Sequence, residues 1–110
     1  RVLFRSYVAD KRETAARYVE FFKGKEDITF FTEPADCKSN YWLNAVVLKD
    51  KAAQLDFLEY TNDHGVMTRP VWELMNRLPM FEHCETDGLE NTEWLADRVV
   101  NIPSSVRLDK

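Results

Sequence analysis

The chain has few of the residues that loosen or break a fold: three glycines and four prolines in 110 positions. That scarcity argues against a disordered or fibrous protein. No apolar run approaches the ~20 residues that a membrane span needs. No charged-then-apolar stretch marks a secretory leader, so the cytoplasm is the expected compartment. Basic residues never gather into a block. Fifteen Lys and Arg are scattered among nineteen Asp and Glu, for a net charge of -4. A nucleic-acid partner is therefore not expected. Glycine-rich phosphate loops of the dinucleotide or P-loop type are also missing. There are only two cysteines, Cys37 and Cys84, and 13% aromatic residues can supply a core without a staple. Both are expected as free thiols.

What is present fits one domain, residues 1–110, large enough to bury roughly two-thirds of its unfolded surface. The chain opens on Arg1 in mid-phrase, RVLFRSYVAD, which suggests a piece of a longer protein, with a trimmed full-length chain as the alternative. Asp10 reads as a helix N-cap with Glu13 as its capping-box partner. Ala15, Tyr18, Val19 and Phe22 then share one helical face up to Gly24, predicting a helix over 11–23. ITFFTEP, residues 28–34, reads as a short strand stopped by Pro34. YWLNAVVL, residues 41–48, is the strongest strand signal and is apolar on both faces, as a central strand would be. Asp50 caps a helix over 51–63, with Leu55 and Leu58 inward and Gly65 closing it. Val66–Arg69 restarts a strand ending at Pro70. Residues 72–88 have no clear period. A helix over 89–98, with Trp94 and Leu95 as packing residues, and a strand over 99–102 finish the chain. The order α, β, β, α, β, loop, α, β, without long crossovers, predicts a two-layer α+β domain with helices on one face of a largely antiparallel sheet.

Few constellations could carry chemistry. EHCE, residues 82–85, crowds His83 and Cys84 between two glutamates, but adjacent side chains rarely converge on one ion and no zinc-spaced pair accompanies them. It reads as a solvated loop with one small half-buried thiol, and no metal is expected. His64 fits the dipole and open carbonyls of a helix end. No nucleophile comes with a recognisable base. What remains is a polar and aromatic set: Asn40, Tyr41, Trp42, Arg69, Trp72, Asn76 and Arg77. Asn and Arg can hold hydroxyl, phosphate or carboxylate oxygens. The competing reading makes Trp42 and Trp72 core residues and Arg69 a structural ion-pair partner.

The runs SNYWLNAVVL, GVMTRPVWELMNRLPMF and ADRVVNIPSSV follow one another in an order that resembles the C-terminal domain of the DegT/DnrJ/EryC1/StrS aminotransferases. RPVWELMNRLP is the most specific piece. The resemblance implies the small domain of a fold type I, pyridoxal-phosphate-dependent enzyme, of the branch acting on nucleotide-linked 4-keto-6-deoxy sugars in cell-surface polysaccharide or glycan synthesis. An amino-acid donor, glutamate in most relatives, would supply the amino group, and the parent would be a homodimer. The N-terminal cofactor domain with its Schiff-base lysine is not visible. None of Lys11, Lys23, Lys25, Lys38, Lys49, Lys51 and Lys110 sits in the family's lysine motif, so this chain alone is expected to bind no cofactor and to be inactive. The resemblance implies substrate-binding roles for Asn40, Tyr41, Trp42, Arg69, Trp72 and Asn76. Many relatives carry His where this chain has Asn76, which can donate and accept but cannot titrate. Pro70 and Pro79 would bracket a stiff loop aimed at the substrate cleft. The other reading is a free-standing α+β binding or interaction module.

Overall fold

The computed structural model describes residues 2–107. The elements run α1 (Val2–Phe22), β1 (Ile28–Phe30), β2 (Asn44–Leu48), α2 (Lys51–Asp63), β3 (Arg69–Pro70), α3 (Glu90–Ala96) and β4 (Val99–Ile102). Two 3-10 turns, Met75–Arg77 and Pro79–Phe81, lie in the aperiodic stretch between β3 and α3. The sheet order is β1-β2-β4-β3, antiparallel at every pairing. The expected α+β architecture and the interior place of β2 are therefore present.

Register decides which face is buried. Ile28 stands opposite Leu48, Phe30 opposite Val46, Val46 opposite Val100 and Asn44 opposite Ile102. Directly opposed residues share a face, so these side chains form one surface. Against it pack Ala15, Tyr18 and Phe22 of α1 and Ala53, Phe57 and Leu58 of α2. Tyr18, Phe22 and Phe30 stack, with ring centroids 5.6–6.3 Å apart. The reverse face carries Ala45, Val47 and Val99, only partly covered. Among the described residues just six apolar side chains are fully buried. Each contributes at most about 1.5–3 kcal/mol, which makes the polar ties of this domain correspondingly important.

Several local expectations give way to longer-range contacts. α1 covers Val2–Phe22 rather than 11–23, so Asp10 is not its N-cap. Asp10 lies mid-helix and buried, and its carboxylate accepts from the Arg107 backbone N–H (3.0 Å) and guanidinium (3.4 Å). Glu13 pairs with Arg17 and Arg107 instead of closing a capping box. The strand predicted over 41–48 begins only at Asn44, because Tyr41 is left-handed (φ 46°) and breaks the extended run. The strand over 28–34 shortens to 28–30, and that over 66–70 to Arg69–Pro70. α2 starts at Lys51 as expected, with Asp50 accepting from the Ala53 N–H at 2.8 Å, and Gly65 takes the left-handed conformation that ends it. Leu55, however, is 53% exposed. The inward residue is Gln54, fully buried, whose Nε2 donates to Ala96 O (2.9 Å) and Val99 O (3.0 Å). Trp94 and Leu95 are also largely exposed; Arg98 covers the Trp94 ring at 4.3 Å. Both cysteines are free and exposed, Cys84 more so than the half-buried thiol expected.

Gln54 is thus the tie between α2 and the α3–β4 turn. Gln54→Leu keeps the volume but strands two carbonyls that the amide now satisfies, and should destabilise the domain by about 1–3 kcal/mol. Glu59→Ala, on the exposed side of the same helix, should stay within about 0.5 kcal/mol of the parent. Urea unfolding of both variants checks the difference.

Candidate functional site

The end of α2 sets the start of the site. Thr61 Oγ1 and Thr68 Oγ1 are 2.6 Å apart, and the Asn62 amide donates to Thr68 Oγ1 (3.0 Å) and Thr68 O (3.2 Å). Thr68 is almost fully buried by these contacts. The next residue is Arg69, whose guanidinium donates through Nη1 to Asn62 Oδ1 (3.1 Å) and Thr68 O (2.8 Å). Among the described residues Arg69 makes no ion pair, so the structural-partner role weighed for it is filled by an amide rather than a carboxylate.

Arg69 opens onto a cleft of about 360 Å³ that runs between α1, the Trp42–Leu43 turn and the segment following β4. Its walls include Lys11, Trp42, Leu43, Met67, Arg69, Asn101, Ser104 and Ser105, without a single carboxylate. Trp42 is 66% exposed, which removes it from the core. Its place is set by an Asx turn: Asn40 Oδ1 accepts from the Trp42 N–H at 3.0 Å. The floor is tied down by Ser104, whose hydroxyl is bonded by the Asn44 N–H (2.8 Å) and in turn donates to Ile102 O (2.8 Å).

Tyr41 faces a different cavity, of about 250 Å³, lined by Phe31, Glu33, Pro34, Ser39, Leu43 and others. Its hydroxyl accepts from the Glu33 N–H at 3.1 Å. Glu33 is the hub of this loop. Its two carboxylate oxygens take a two-pronged bond from Arg12 (2.7 and 3.0 Å) and one from the Ser39 N–H, while Arg12 also donates to Ser39 O. The Arg12 guanidinium also lies 5.5 Å from the Tyr41 ring centroid. The hydrogen bonds from Arg12, then that from Ser39, hold the Glu33 carboxyl down at about 2.

Of the six residues singled out from the sequence, only Trp42 and Arg69 line the same cleft. Asn40 shapes the turn beneath Trp42, and Tyr41 braces the neighbouring loop. Trp72 is 71% exposed beyond β3. Asn76 lies in the first 3-10 turn, its Oδ1 shielded from solvent and without a hydrogen-bond partner. His64 plays the helix-end part read from the sequence: Nδ1 is 2.8 Å from Tyr60 O and its ring stacks on Tyr60. Among the described residues no three His, Cys, Asp or Glu side chains are grouped to hold a metal ion, and no helix is long and apolar enough to cross a membrane.

Residues 3–110 match the model of the DegT/DnrJ/EryC1/StrS aminotransferase family. The chain belongs to that family. Its fold is similar to that of the sugar aminotransferase CalS13 from Micromonospora echinospora, at TM-score 0.72 and 24% identity over 88% of this chain and 25% of that one. Helicobacter pylori PseC, an aminotransferase involved in the biosynthesis of pseudoaminic acid, gives 0.78 at 17% identity over 93% and 29%. E. coli GDP-4-keto-6-deoxy-D-mannose-3-dehydratase, solved with bound hydrated PLP, gives 0.70 at 16% identity over 89% and 26%. The chain thus spans roughly a quarter of the length of these relatives. A search of the curated proteins returned no match.

Within this family domain, two features of the site escape a reading of the motifs. Lys11 lies outside all three runs that carry the resemblance. Its signal was there nonetheless: Lys11, Ala15, Tyr18 and Phe22 share one helical stripe, and a lysine on a core-facing stripe must bring its ammonium out somewhere. Ser104 and Ser105 lie in the motif VVNIPSS, where the sequence alone does not distinguish a floor from a loop.

The Glu33 hub carries a pH dependence of fixed sign. A carboxyl held at about 2 against an ordinary value of 4.5 stabilises the folded loop fully above about 4.5, and that contribution fades as the pH falls toward 2. Amide exchange at Ser39 and Tyr41 should therefore accelerate across that acid window while α2 stays protected. Glu33→Gln should show fast exchange at these amides already at neutral pH and no further change in the window.

Proposed function

We propose that this domain is the substrate-shaping C-terminal part of a pyridoxal-phosphate-dependent enzyme. In this reading the whole enzyme moves an amino group from an amino acid, glutamate, to a nucleotide-linked 4-keto-6-deoxy sugar. It works as a homodimer in the cytoplasm and serves the synthesis of surface polysaccharides or glycans. The observation that carries the reading is the cleft itself: an exposed indole and an arginine fork, in a domain of an aminotransferase family, facing a space without carboxylates. The names of the fold relatives, one a sugar aminotransferase and one solved with PLP, support it.

In this reading the cofactor site lies outside the described residues of this chain. Lys11 is held by two backbone carbonyls, and Lys23, Lys25, Lys38, Lys49 and Lys51 are exposed on the surface. The cofactor, its lysine and the chemistry they supply belong in this proposal to the rest of the enzyme. The contribution of this domain is to bind and orient. Arg69 presents a planar, permanently charged fork to oxygen atoms of the substrate, Trp42 offers a flat face, and Asn40 and Tyr41 fix the turn that holds it. In this reading Trp72 and Asn76, on the loop after β3 and outside that cleft, add further substrate contacts through an exposed indole and a side-chain amide.

In the whole enzyme, Arg69→Ala and Asn76→Ala should each lower kcat/KM for the keto sugar roughly ten- to a hundred-fold, corresponding to about 1–3 kcal/mol. The half-reaction with the amino donor should change less, because the smaller donor reaches less of this wall. Melting temperatures measured on the same variants separate this from a structural role. An Arg69→Ala enzyme that melts much earlier yet turns over the keto sugar normally would overturn the reading.

A further inference from the structure

We propose that the cleft between Lys11 and Arg69 is a two-cation seat for a diphosphate group, and that Lys11, on α1, is its second anchor. The inference rests on the substrate reading above and assigns which part of a nucleotide-linked substrate this domain grips.

The argument begins with charge. The chain carries nineteen acids and a net charge of -4, so a surface patch chosen at random would be acidic or mixed. The ion pairs formed among the described residues engage Arg12, Arg17, Arg77 and Arg107, each with an aspartate or glutamate. Lys11 and Arg69 are outside that set and line one cavity together. Their hydrogen bonds go to neutral groups. Lys11 Nζ donates to Ser104 O at 2.7 Å and to Trp42 O at 3.4 Å, which uses two of its three protons. Arg69 spends Nη1 on Asn62 and Thr68, leaving Nη2 and Nε without a protein partner among the described residues. Two positive charges with free donors thus face one space that no carboxylate shares.

Position and surroundings narrow the ligand. Lys11 is fixed by the carbonyls of two segments, the Trp42 turn and the Ser104 bend, so its ammonium is held at the wall rather than swinging in solvent. Arg69 is fixed from the opposite element by the α2 amide. Such pre-organised cations act on an anion without first losing side-chain freedom. A single carboxylate would satisfy one of them and leave the other unmatched. A diphosphate, with charge on both phosphorus centres, carries an anionic group for each. Ser105 and Asn101 on the rim add neutral hydrogen-bonding groups, and Trp42 and Met67, both about two-thirds exposed, offer a flat apolar surface for the base or sugar that a nucleoside diphosphate carries on either side. A volume near 360 Å³ falls within the ordinary size of a small-molecule site.

The test uses the 110-residue chain and reads backbone and indole N–H signals by NMR while inorganic pyrophosphate, UDP, uridine and glutamate are added separately. Pyrophosphate and UDP should both move the Trp42 indole and Ser105 amide signals, and uridine, lacking phosphate, should bind at least about tenfold more weakly than UDP. Added salt should weaken pyrophosphate binding. Lys11→Gln should reduce affinity about tenfold and Lys11→Arg should restore it, the charge and donors being what matter. Because Lys11 also braces the fold, Ser105, an exposed rim residue without a side-chain bond among the described residues, gives the second arm: Ser105→Asp should weaken and Ser105→Lys strengthen pyrophosphate binding, with unfolding midpoints unchanged. The proposal is overturned if pyrophosphate leaves Trp42 and Ser105 unmoved, or if the Ser105 variants bind alike. It is also overturned if glutamate alone perturbs the cleft, a result that would assign the cations to the amino donor and leave the aminotransferase reading standing. Failure of the whole enzyme to aminate any keto sugar would instead sink that reading, with the anion seat still measurable on this chain.

Discussion

The structure depends on a polar seam that binds its first helix to the segment after its last strand. Tyr18 donates to Pro103 O at 2.8 Å, Lys11 to Ser104 O, and Asp10 accepts from Arg107, while the Asn44 N–H reaches the Ser104 hydroxyl from the sheet. Burial raises the affinity of the Tyr18 phenol for its proton, so the donor of the first of these bonds is retained through neutral pH. Each such bond contributes only on the order of 1 kcal/mol net. Together they matter, because the apolar core between α1 and the sheet is small and one removed partner leaves another buried group unsatisfied.

The same economy of means recurs at the second helix on that face of the sheet. α2 is joined to the turn before β4 by the Gln54 amide, and to the turn before β3 by Thr61 and Asn62. Amides and hydroxyls serve as connectors at places where a larger domain would use aliphatic packing. An amide connector fixes direction as well as distance, since donor and acceptor must align. Through Asn62 that directional control reaches Arg69, and through Asn40 it reaches Trp42. The positions of these two cleft-lining side chains are thus set by polar geometry rather than by how tightly the core is packed.

This explains what could be read from the sequence and what could not. α2, with Asp50 ahead and Gly65 behind, and β4, stopped by Pro103, were legible because their boundaries are set by local chemistry. β2 was legible as a central strand because both of its faces are apolar. α1 was only half legible. The capping signal at Asp10 is genuine, yet the carboxylate is taken by Arg107, ninety-seven positions away, and no local pattern reports such a partner. Gln54 was passed over in favour of Leu55 because apolar periodicity cannot recognise a buried amide with two carbonyls to satisfy. Tyr41 was counted into a strand on β-propensity, whereas Ser39 and Asn40 bend the chain there through bonds to the Tyr41 and Trp42 N–H groups. At the site, the motif pointed to Arg69 and Trp42, but the cleft they share includes Lys11, whose relation to Ser104 spans ninety-three positions.

That span has a consequence in time. The cleft is walled by residues from near both ends of the chain, Lys11 at one side and Ser104 and Ser105 at the other. Contacts so distant in sequence form only after the intervening segments have closed. During synthesis, α1 can coil and β1 and β2 can pair long before residues 103–105 leave the ribosome. The two cations of the cleft would meet only when the last strand docks, so the pocket comes into being as a report that the whole domain has been assembled. A chain cut short within β4 would lack the Ser104 and Ser105 wall of the cleft.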